Sequence, residues 1–596
     1  MDRTRANQNL HTGIGLYKKG LHQESLSLLL PIHSIASREP NSLLFIAQNY
    51  RQLKQIQKST IFFDKLISAH KHPGYFCTYA NMLIDEQLYS KAKKLLNESI
   101  DIDPNYFDSH YNLGRAKQIT GSYEEARDSY LKAFRLNPSH ADACLGYGQC
   151  LVQMNNRELA ISIYQDFLVN FPNTAKVLYS LASLYEEDNK EAAEVALLKC
   201  IELSPDNRDY SFEYAKVLQG LGKINNAVSV LITMLEKTPF DHHVHDVLFN
   251  LLWLNGMSEP FRYYLLACES DPANSLVIEL VKKLIKNDEL QLGLRKIEVF
   301  LCSSPSYTEA LMIKGHLERE LGDFQASLKT LKSIHLQDQT LAPALYEEAV
   351  TYLCLNQFSD AVRVSKLLLE LYPNNQGGRA LLATSLKLNG NVKEYGQLYN
   401  YQSLIKFIPL SSIIDSNFNQ KLKMELDILH KTKNHPIDQS LRKGTQTQGQ
   451  LFNMNIKLVE ELREEIAIEV KTFLNGLSSK DKGVYLQNIS ESFSFAGSWS
   501  VLLRQGGHHQ NHFHSEGTFS ACYYVEVPDV VNRNGQGWLN LGQPELSRWL
   551  NLEPDFCVKP EPGCLIIFPS YMWHGTNPLI EESERTTIAF DIKARA

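Results

Sequence analysis

Four histidines fall within seven residues near the C-terminal end of the 596-residue sequence: His508, His509, His512 and His514. His512 and His514 are two positions apart, so on a β-strand both side chains would project from the same face. A single histidine, His574, follows an apolar stretch about sixty residues further on. Imidazole nitrogens are common ligands of divalent transition metals. The pattern predicts a mononuclear metal site built from His512, His514 and His574.

The residues alone leave the third ligand open. His514, Ser515 and Glu516 read His-x-Glu, so the Glu516 carboxylate could be a ligand instead of the second imidazole. His508 and His509 follow two glycines, and we expect them to be solvated loop residues near the mouth of the site. Beyond the metal centre, the sequence points to no further catalytic residue.

Short segments with a period of two surround the histidines. From Tyr485 onward, apolar and aromatic residues alternate in short runs that Gly, Pro and Asn turns separate, which is typical of a β-sandwich or barrel. The segments 518–528, 564–569 and 585–594 are examples. An amphipathic helix is predicted just upstream, from Asn455 to Gly476. The histidines therefore belong to a β-domain with helices packed beside it.

The first two-thirds of the chain follow a different period. Most steps between successive prolines are 33 or 34 residues, one is 31 and the last is 68, at Pro40, Pro73, Pro104, Pro138, Pro172, Pro205, Pro239, Pro272, Pro305 and Pro373. A period of 34 is typical of helix-turn-helix repeats that stack into a solenoid to bury their apolar faces. Proline ends the second helix of a repeat because it lacks a backbone donor and clashes with the preceding turn.

One repeat, between Tyr106 and Pro138, shows the packing positions of this period. Gly114 and Ala126 are small enough to let two helices approach closely, and Tyr130 would fill the gap between neighbouring repeats. The pattern resembles the tetratricopeptide repeat family over roughly residues 8 to 395. The resemblance implies an all-α superhelix that binds a protein or peptide partner, and these positions serve packing.

Bulk composition narrows the class of protein. Apolar residues make up 43% and charged residues 21%, as in ordinary globular proteins. The net charge of −7 argues against nucleic acid or an anionic membrane as the main partner. The N-terminal segment lacks the apolar core of a signal peptide, and no run approaches the ~18 apolar residues of a membrane span. None of the ten cysteines forms a CxxC pair, so we expect a reducing, cytoplasmic environment.

The C-terminal 200 residues resemble the superfamily of 2-oxoglutarate- and Fe(II)-dependent oxygenases. The matching features are His512-Phe513-His514, the strand Ser520–Tyr524, the segment Gly563–His574 with its Phe-Pro-Ser run, and Arg585 followed by Thr587. The loop Gln439–Thr447 also resembles an upstream segment of the same branch. The strand after the first histidines aligns with the branch when His512 and His514 are the ligands, so we prefer that register.

The resemblance assigns a role to each matching residue. His512 and His574 would bind Fe(II), together with His514 or its rival Glu516. The usual pattern of the superfamily is His-x-Asp or His-x-Glu, whereas this chain has His-x-His. Three neutral ligands leave the full positive charge on the iron, which weakens the electronic case for oxygen activation.

The basic residue downstream would bind the co-substrate. Arg585 would hold the distal carboxylate of 2-oxoglutarate through a bidentate charge-assisted pair, helped by the hydroxyl of Thr587. Tyr523 or Tyr524 could reach the same carboxylate or the substrate. In the implied reaction, dioxygen, 2-oxoglutarate and the substrate yield succinate, carbon dioxide and the hydroxylated substrate.

The resemblances together imply a multidomain protein. Residues 1–395 would form the tetratricopeptide superhelix, and 396–596 a double-stranded β-helix, or jelly roll, with flanking helices and a β-core at about 485–596. We expect a dioxygenase that hydroxylates a peptide or protein side chain presented by the repeats. The alternatives are a repeat scaffold or adaptor with a weak or inactive oxygenase domain, a three-histidine dioxygenase without 2-oxoglutarate, and an oxygenase of small molecules.

Overall fold

The protein is described by a computed structural model, which covers residues 3–35, 39–185, 189–335, 338–410, 416–482, 486, 489–550 and 552–594. Tyr485 and residues 595–596, at the limits of the predicted β-core, lie outside the described residues. Within the described part, no helix combines the length and the apolar character that a membrane crossing requires. The ten cysteines, all of them described, are free thiols.

Helices dominate the chain as far as residue 404. They are α1 (Arg3–Lys18), α2 (His22–Ile35), α3 (Pro40–Gln52), α4 (Ile56–Ala69), α5 (Pro73–Asp85), α6 (Tyr89–Ile102), α7 (Phe107–Ile119), α8 (Tyr123–Leu136), α9 (Ala141–Gln153), α10 (Arg157–Asn170), α11 (Ala175–Tyr185), α12 (Lys190–Leu203), α13 (Arg208–Gly220), α14 (Ile224–Lys237), α15 (His242–Leu254), α16 (Arg262–Ser270), α17 (Leu276–Lys286), α18 (Leu290–Ser303), α19 (Thr308–Glu320), α20 (Phe324–His335), α21 (Ala342–Cys354), α22 (Phe358–Leu371), α23 (Gln376–Leu388), α24 (Val392–Leu398) and α25 (Tyr401–Leu404). They form the predicted series of helix pairs, and the repeat prolines lie between one pair and the next or open its first helix.

Tyrosine and glycine set the close packing of the repeats. Tyr130 on α8 is buried, and a methyl group added at Gly114 or Gly146 would approach its ring to 2.9 and 2.5 Å. Tyr164 lies in the same way against Gly148, where an added methyl group would be 2.4 Å away. The predicted packing role of Gly114 and Tyr130 is confirmed.

The histidines at the start of α15 have a structural role. The sequence predicts that His242, His243 and His245 are solvent-exposed residues at the start of a helix. For His245 this prediction is wrong. Its side chain is buried, and its Nε2 donates to the carbonyl of Pro239 at 2.8 Å. Burial lowers its pKa below the usual range. The ring therefore secures the turn before the helix.

The chain divides into two compact units, Met1–Leu231 and Ile232–Ala596. The first unit consists of repeats only, and the second contains the later repeats together with the β-domain. The boundary predicted at 395/396 lies within α24. It marks the place where the repeat period of the sequence ends. As a domain boundary it stays a prediction.

The β-domain contains a large and a small antiparallel sheet. Its strands are β1 (Lys406–Pro409), β2 (Leu441–Gln446), β3 (Phe493–His509), β4 (Phe519–Glu526), β5 (Leu539–Leu541), β6 (Phe556–Val558), β7 (Cys564–Pro569), β8 (His574–Thr576) and β9 (Arg585–Ala594). The large sheet has the order β1-β7-β4-β9-β3-β2 and the small one β6-β5-β8. Two antiparallel sheets are compatible with the predicted jelly roll. The helices α26 (Ser416–Asp427), α27 (Lys457–Gly476) and α28 (Ser479–Lys482) flank them.

The later repeats and the β-domain share one apolar core. Leu381 and Leu386 on α23 belong to the same buried cluster as Ile567 on β7 and Ile588 on β9. Every residue of α23 from Gly377 to Leu386 is buried, which is unusual for a helix of a repeat stack. The repeats therefore form one wall of the domain that contains the histidines.

Candidate metal centre

Backbone pairing brings the two histidine segments together. His512 follows β3, and His574 opens β8. The two residues form an isolated antiparallel bridge in which each backbone N–H donates to the carbonyl of the other at 2.8 Å. His514 is fixed two residues later, where its N–H donates to the carbonyl of Ser570 at 2.9 Å. The chain itself therefore sets the relative position of the three rings.

Each of the three rings has an acceptor at its Nδ1 atom. The Nδ1 of His512 donates to the carbonyl of Gln510 at 2.8 Å, and that of His574 to the carbonyl of Met572 at 3.0 Å. The Nδ1 of His514 donates to the carboxylate of Asp591 at 2.6 Å. With the proton on Nδ1 in every ring, Nε2 is left unprotonated and able to bind a metal.

The free nitrogens converge on one point. One ligand nitrogen from each of His512, His514 and His574 lies within 4.8 Å of the others. The Nε2 atoms of His512 and His514 are 3.1 Å apart. Two nitrogens about 2.1 Å from one metal at right angles would be ~3 Å apart, so the spacing suits adjacent coordination positions.

The electrostatics keep these rings neutral. Burial, and then the nearby His514, lower the pKa of His512 to about 3. Burial, and then the nearby His512 and His514, lower the pKa of His574 well below its usual range. A neutral imidazole is the form that binds a metal, so these two ligands are ready at neutral pH without losing a proton.

The structure treats the other candidate ligands differently. Glu516 is exposed, and its carboxylate is outside the converging set of His512, His514 and His574 within the described chain. The expectation that His508 and His509 are loop residues is wrong, since both belong to β3. His509 lines the cavity and its Nδ1 is 3.0 Å from the hydroxyl of Ser440.

Arg585 lies buried in the same cavity, and no carboxylate among the described residues forms an ion pair with it. It is 2% exposed, and its only protein acceptor in the described part of the chain is the carbonyl of Gly537. Its Nε has no hydrogen-bond partner among the residues that the structure describes. The guanidinium carbon is 5.9 Å from the centroid of the Tyr524 ring. Burial lowers the pKa of Arg585, but the group stays charged. A buried arginine in this state is suited to an incoming carboxylate.

Two neighbouring strands, β4 and β9, form one face of the cavity. The residues at alternate positions that line it are Arg585, Thr587, Ala589 and Asp591 on β9 and Ser520, Cys522 and Tyr524 on β4, and Ala521 lies beside them. Thr587 pairs directly with Tyr524 across the sheet. Tyr523 points the other way, and its hydroxyl donates to Asn419 at 2.6 Å. Of the two tyrosines proposed for the co-substrate, Tyr524 is the one on the cavity face.

Asp591 is the residue that sequence reasoning missed. It is 7% exposed, accepts from His514 Nδ1, and also accepts from the hydroxyl of Ser520 at 2.7 Å. A signal for it was available: Asp591 is six residues after Arg585, and an even separation on one strand gives the same face.

The cavity is large enough for a co-substrate and a side chain. Its volume is about 490 Å³, within the usual range for ligand sites. A second cavity of about 400 Å³ adjoins it. Four residues line both cavities, Lys286, Arg442, Gln510 and Glu545. The two cavities therefore adjoin at these residues, and we refer to them together as the groove.

The groove is bounded on one side by repeat helices. His316 and Arg319 on α19, Tyr346 and Glu347 on α21 and Leu381 on α23 line the second cavity. Arg319 is 3% exposed and forms an ion pair with Glu347. Burial alone would raise the pKa of Glu347, but Arg319 and then His316 lower it well below its usual range. Fixed charges from the repeats thus line the approach to the metal centre.

The donor set fits Fe(II) and 2-oxoglutarate. Three neutral imidazole nitrogens on one side of a cavity leave the remaining positions of a metal open, as in facial iron sites. The unpartnered Nε of Arg585 can donate a hydrogen bond to the second carboxylate, at the far end of a dicarboxylic acid. The arrangement can therefore hold a metal, a bidentate co-substrate and a neighbouring side chain together.

Family models match both parts of the chain. Residues 497–591 match the family described as "Putative 2OG-Fe(II) oxygenase". Residues 95–128, 119–184 and 175–207 match tetratricopeptide repeat models. The fusion of tetratricopeptide repeats to a 2-oxoglutarate/Fe(II) oxygenase-type domain, predicted from the motifs, is confirmed.

Curated relatives are similar over about a third of the chain. "Anaphase-promoting complex subunit 3" of Schizosaccharomyces pombe is 24% identical over 214 residues, which are 36% of this chain and 32% of that protein. "Protein O-mannosyl-transferase TMTC3" of Homo sapiens is 28% identical over 207 residues, 32% of this chain and 22% of that protein. The chain thus spans about a third or less of the length of these relatives.

Solved structures with similar folds include Pseudomonas aeruginosa pilF, at 16% identity and a TM-score of 0.31, over 36% of this chain and 98% of that one. The structure of Naa15/Naa10 bound to HypK-THB is similar over 66% of this chain and 68% of that one, at 12% identity and a TM-score of 0.30. At these TM-scores, the similarity says nothing about function.

Proposed function

We propose that the protein is an Fe(II)- and 2-oxoglutarate-dependent dioxygenase that hydroxylates a peptide or protein substrate bound along its repeats. The observation that carries the proposal is the buried, unpartnered Nε of Arg585 in the same cavity as three converging histidine nitrogens. A metal site alone would not need a buried arginine, since the desolvation of its charge is costly without an anion.

Each residue of the site has a defined task. His512, His514 and His574 hold the iron, and Arg585 with Thr587 holds the distal carboxylate of 2-oxoglutarate. The hydroxyl of Tyr524 lies on the same face and orients that carboxylate. Bound iron supplies the redox chemistry that couples decarboxylation of 2-oxoglutarate to hydroxylation by dioxygen. Phe568, Trp499 and Ala589 line the rest of the cavity and keep water from the reacting centre.

The groove supports a polypeptide substrate. It continues from the histidines past Lys286 and Arg442 to the helices α19 and α21. A small molecule would need only the first cavity, whereas a chain segment would contact both. Tetratricopeptide repeats commonly bind peptides, and this analogy also favours a polypeptide substrate.

The competing proposal is a repeat scaffold whose oxygenase domain is inactive. The absence of a carboxylate among the three converging ligands favours it, because a neutral ligand set donates less charge to the iron. The buried arginine argues against it, since a scaffold has no use for an open carboxylate site.

Consumption of 2-oxoglutarate distinguishes the two proposals. The purified protein is incubated with Fe(II), ascorbate and 2-oxoglutarate in air, and succinate is measured with and without a proteome-derived peptide library. We expect succinate above the no-enzyme rate, a further rise with peptides, and a peptide mass increase of one oxygen that carries the label from ¹⁸O₂.

His574→Ala is the inactive control, and Lys286→Glu tests the groove. The Lys286 variant is expected to keep the peptide-independent succinate rate and to lose most of the peptide-stimulated part. No succinate from the iron-loaded wild type under any condition would overturn the oxygenase proposal in favour of the scaffold.

A further inference from the structure

A buried carboxylate lies directly behind one of the three histidines. Asp591 accepts from Nδ1 of His514 at 2.6 Å and from the hydroxyl of Ser520 at 2.7 Å, and its side chain is 10% exposed. Ser520 is also 3.1 Å from the same Nδ1 and 2.9 Å from the hydroxyl of Ser570. Two hydrogen bonds thus hold the carboxylate, and one of the donors, Ser520, is itself held by its neighbours.

Among the described residues, no lysine or arginine forms an ion pair with this carboxylate. Within the described part of the chain, its only ion-pair partner is the ring of His514. An isolated carboxylate is expensive to bury, and proteins normally pair it with a cation or place it beside a metal. A divalent metal on the opposite nitrogen of His514 would place the missing positive charge one ring away.

The three rings are not equivalent in this respect. His512 and His574 donate from Nδ1 to the neutral backbone carbonyls of Gln510 and Met572. Only His514 among the three donates to a carboxylate. A carboxylate acceptor polarises the N–H bond, makes the imidazole a stronger donor to the metal and fixes its tautomer.

We propose that Asp591 is a positioning residue that gives His514 an anionic character and thereby replaces the carboxylate ligand of a His-x-Asp site. This inference rests on the iron site proposed above. His514 occupies the position that an acidic ligand takes in the usual pattern of the superfamily. The carboxylate of Asp591 therefore supplies the negative charge that a carboxylate ligand would supply, but it acts through the ring of His514 and does not touch the metal.

Asp591→Asn removes the charge while keeping the shape of the side chain. Fe(II) affinity is measured anaerobically by competition with a chromophoric chelator, and the visible Fe(II)-to-2-oxoglutarate charge-transfer band is recorded. We expect the Fe(II) dissociation constant to rise about 10- to 100-fold, and the band to move to shorter wavelength because the iron is less electron-rich.

Two controls separate charge from structure. Asp438→Asn removes an exposed carboxylate of the same cavity that contacts none of the three histidines, and its affinity and band should match the wild type. Ser520→Ala removes a donor to Asp591 but leaves the charge, so its Fe(II) affinity should change by less than about 10-fold. Thermal unfolding of the metal-free proteins shows whether each variant folds.

A second readout does not need the Asn variant. In Co(II)-loaded wild type, the three Nδ1–H protons should appear as hyperfine-shifted signals that exchange slowly, and one of them should move in Ser520→Ala. The inference is overturned if Asp591→Asn binds Fe(II) like the wild type with an unshifted band, or if no signal responds to Ser520→Ala. A wild type without any charge-transfer band would instead overturn the proposed function.

Discussion

The indole N–H of Trp573 donates to the hydroxyl of Thr384 on α23 at 3.1 Å, and to the carbonyl of Ala380 at 3.3 Å. Trp573 directly precedes His574, so a repeat helix holds the residue beside a proposed metal ligand. Tyr399 reinforces this contact, because its hydroxyl accepts from the backbone N–H of Trp573 at 3.0 Å. The position of the metal centre therefore depends on the repeats.

A fragment of residues 396–596 is therefore expected not to fold by itself. Cutting the chain there removes α23, whose residues Gly377–Leu386 are all buried, and exposes the apolar core that it shares with the β-domain. The matched fragment 232–596 keeps one whole compact unit and should fold. Near-UV circular dichroism compares the two, and a native spectrum from 396–596 would contradict the expectation.

If His514 is the third ligand, its replacement should weaken Fe(II) binding strongly, whereas replacement of the nearby Glu516 should not. His514→Ala should weaken Fe(II) binding by more than 100-fold, because it removes one of three converging nitrogens. Glu516→Ala should leave the affinity within about 3-fold, since the exposed carboxylate is outside that set. Anaerobic titration of Fe(II) measures both variants. Loss of iron from the Glu516 variant alone would make the His-x-Glu register the correct one.

Acid is expected to destabilise the β-domain through His430, which is not a proposed ligand. Its ring is buried, 3.0 Å from the hydroxyl of Ser500 and 2.9 Å from that of Thr445, and burial lowers its pKa from 6.5 to about 4. The unfolded state thus takes up the proton first as the pH falls. Stability should decrease from pH 6.5 to about 4, by about 3 kcal/mol in total from this residue.

Urea unfolding between pH 4 and 7 measures this dependence. His430→Asn should lower stability at pH 7, because the site loses its packing, but should flatten the dependence on pH. His11→Asn, at an exposed position in α1, is the control and should leave the slope unchanged. An unaltered slope in His430→Asn would show that other groups cause the acid sensitivity.

Two glycine-to-alanine changes in the repeats should have effects of opposite sign. At Gly148 the added methyl group would be 2.4 Å from the Tyr164 ring, so Gly148→Ala should destabilise the repeats by about 1–3 kcal/mol. At Gly15 in α1 no atom lies within 4 Å, so Gly15→Ala should stabilise by about 0.5–1 kcal/mol. Chemical denaturation of the full chain compares them, and equal effects would contradict the packing argument.

The repeats could be predicted from the sequence because their information is local. Pro138 and Tyr130 each report on a neighbouring turn or helix within one period of 34 residues. The pair His512 and His514 is also local, since a spacing of two predicts one face of an extended segment. The structure places both residues after the end of β3, where backbone bonds to His574 and Ser570 fix them instead of a strand. The full burial of α23 could not be predicted, because it depends on a domain that begins beyond the repeats.

The site was predicted less completely than the fold. The even spacing from Arg585 predicts only that Asp591 shares its strand face, and its role becomes apparent because β9 pairs with β4 and Asp591 lies 2.6 Å from His514. His509 looked like a loop residue because two glycines precede it, but the strand β3 continues through both glycines. Long-range pairing, which a single sequence does not reveal, decides both cases.

The most direct test of the central claim is anaerobic titration of the Fe(II)-loaded protein with 2-oxoglutarate, in wild type and in Arg585→Gln. The account predicts a weak visible charge-transfer band in the wild type that saturates with 2-oxoglutarate. It predicts that Arg585→Gln keeps its iron but needs at least about 10-fold more 2-oxoglutarate, because the charged partner of the distal carboxylate is lost. Iron binding without any band, or a band that Arg585→Gln leaves unchanged, would contradict the account.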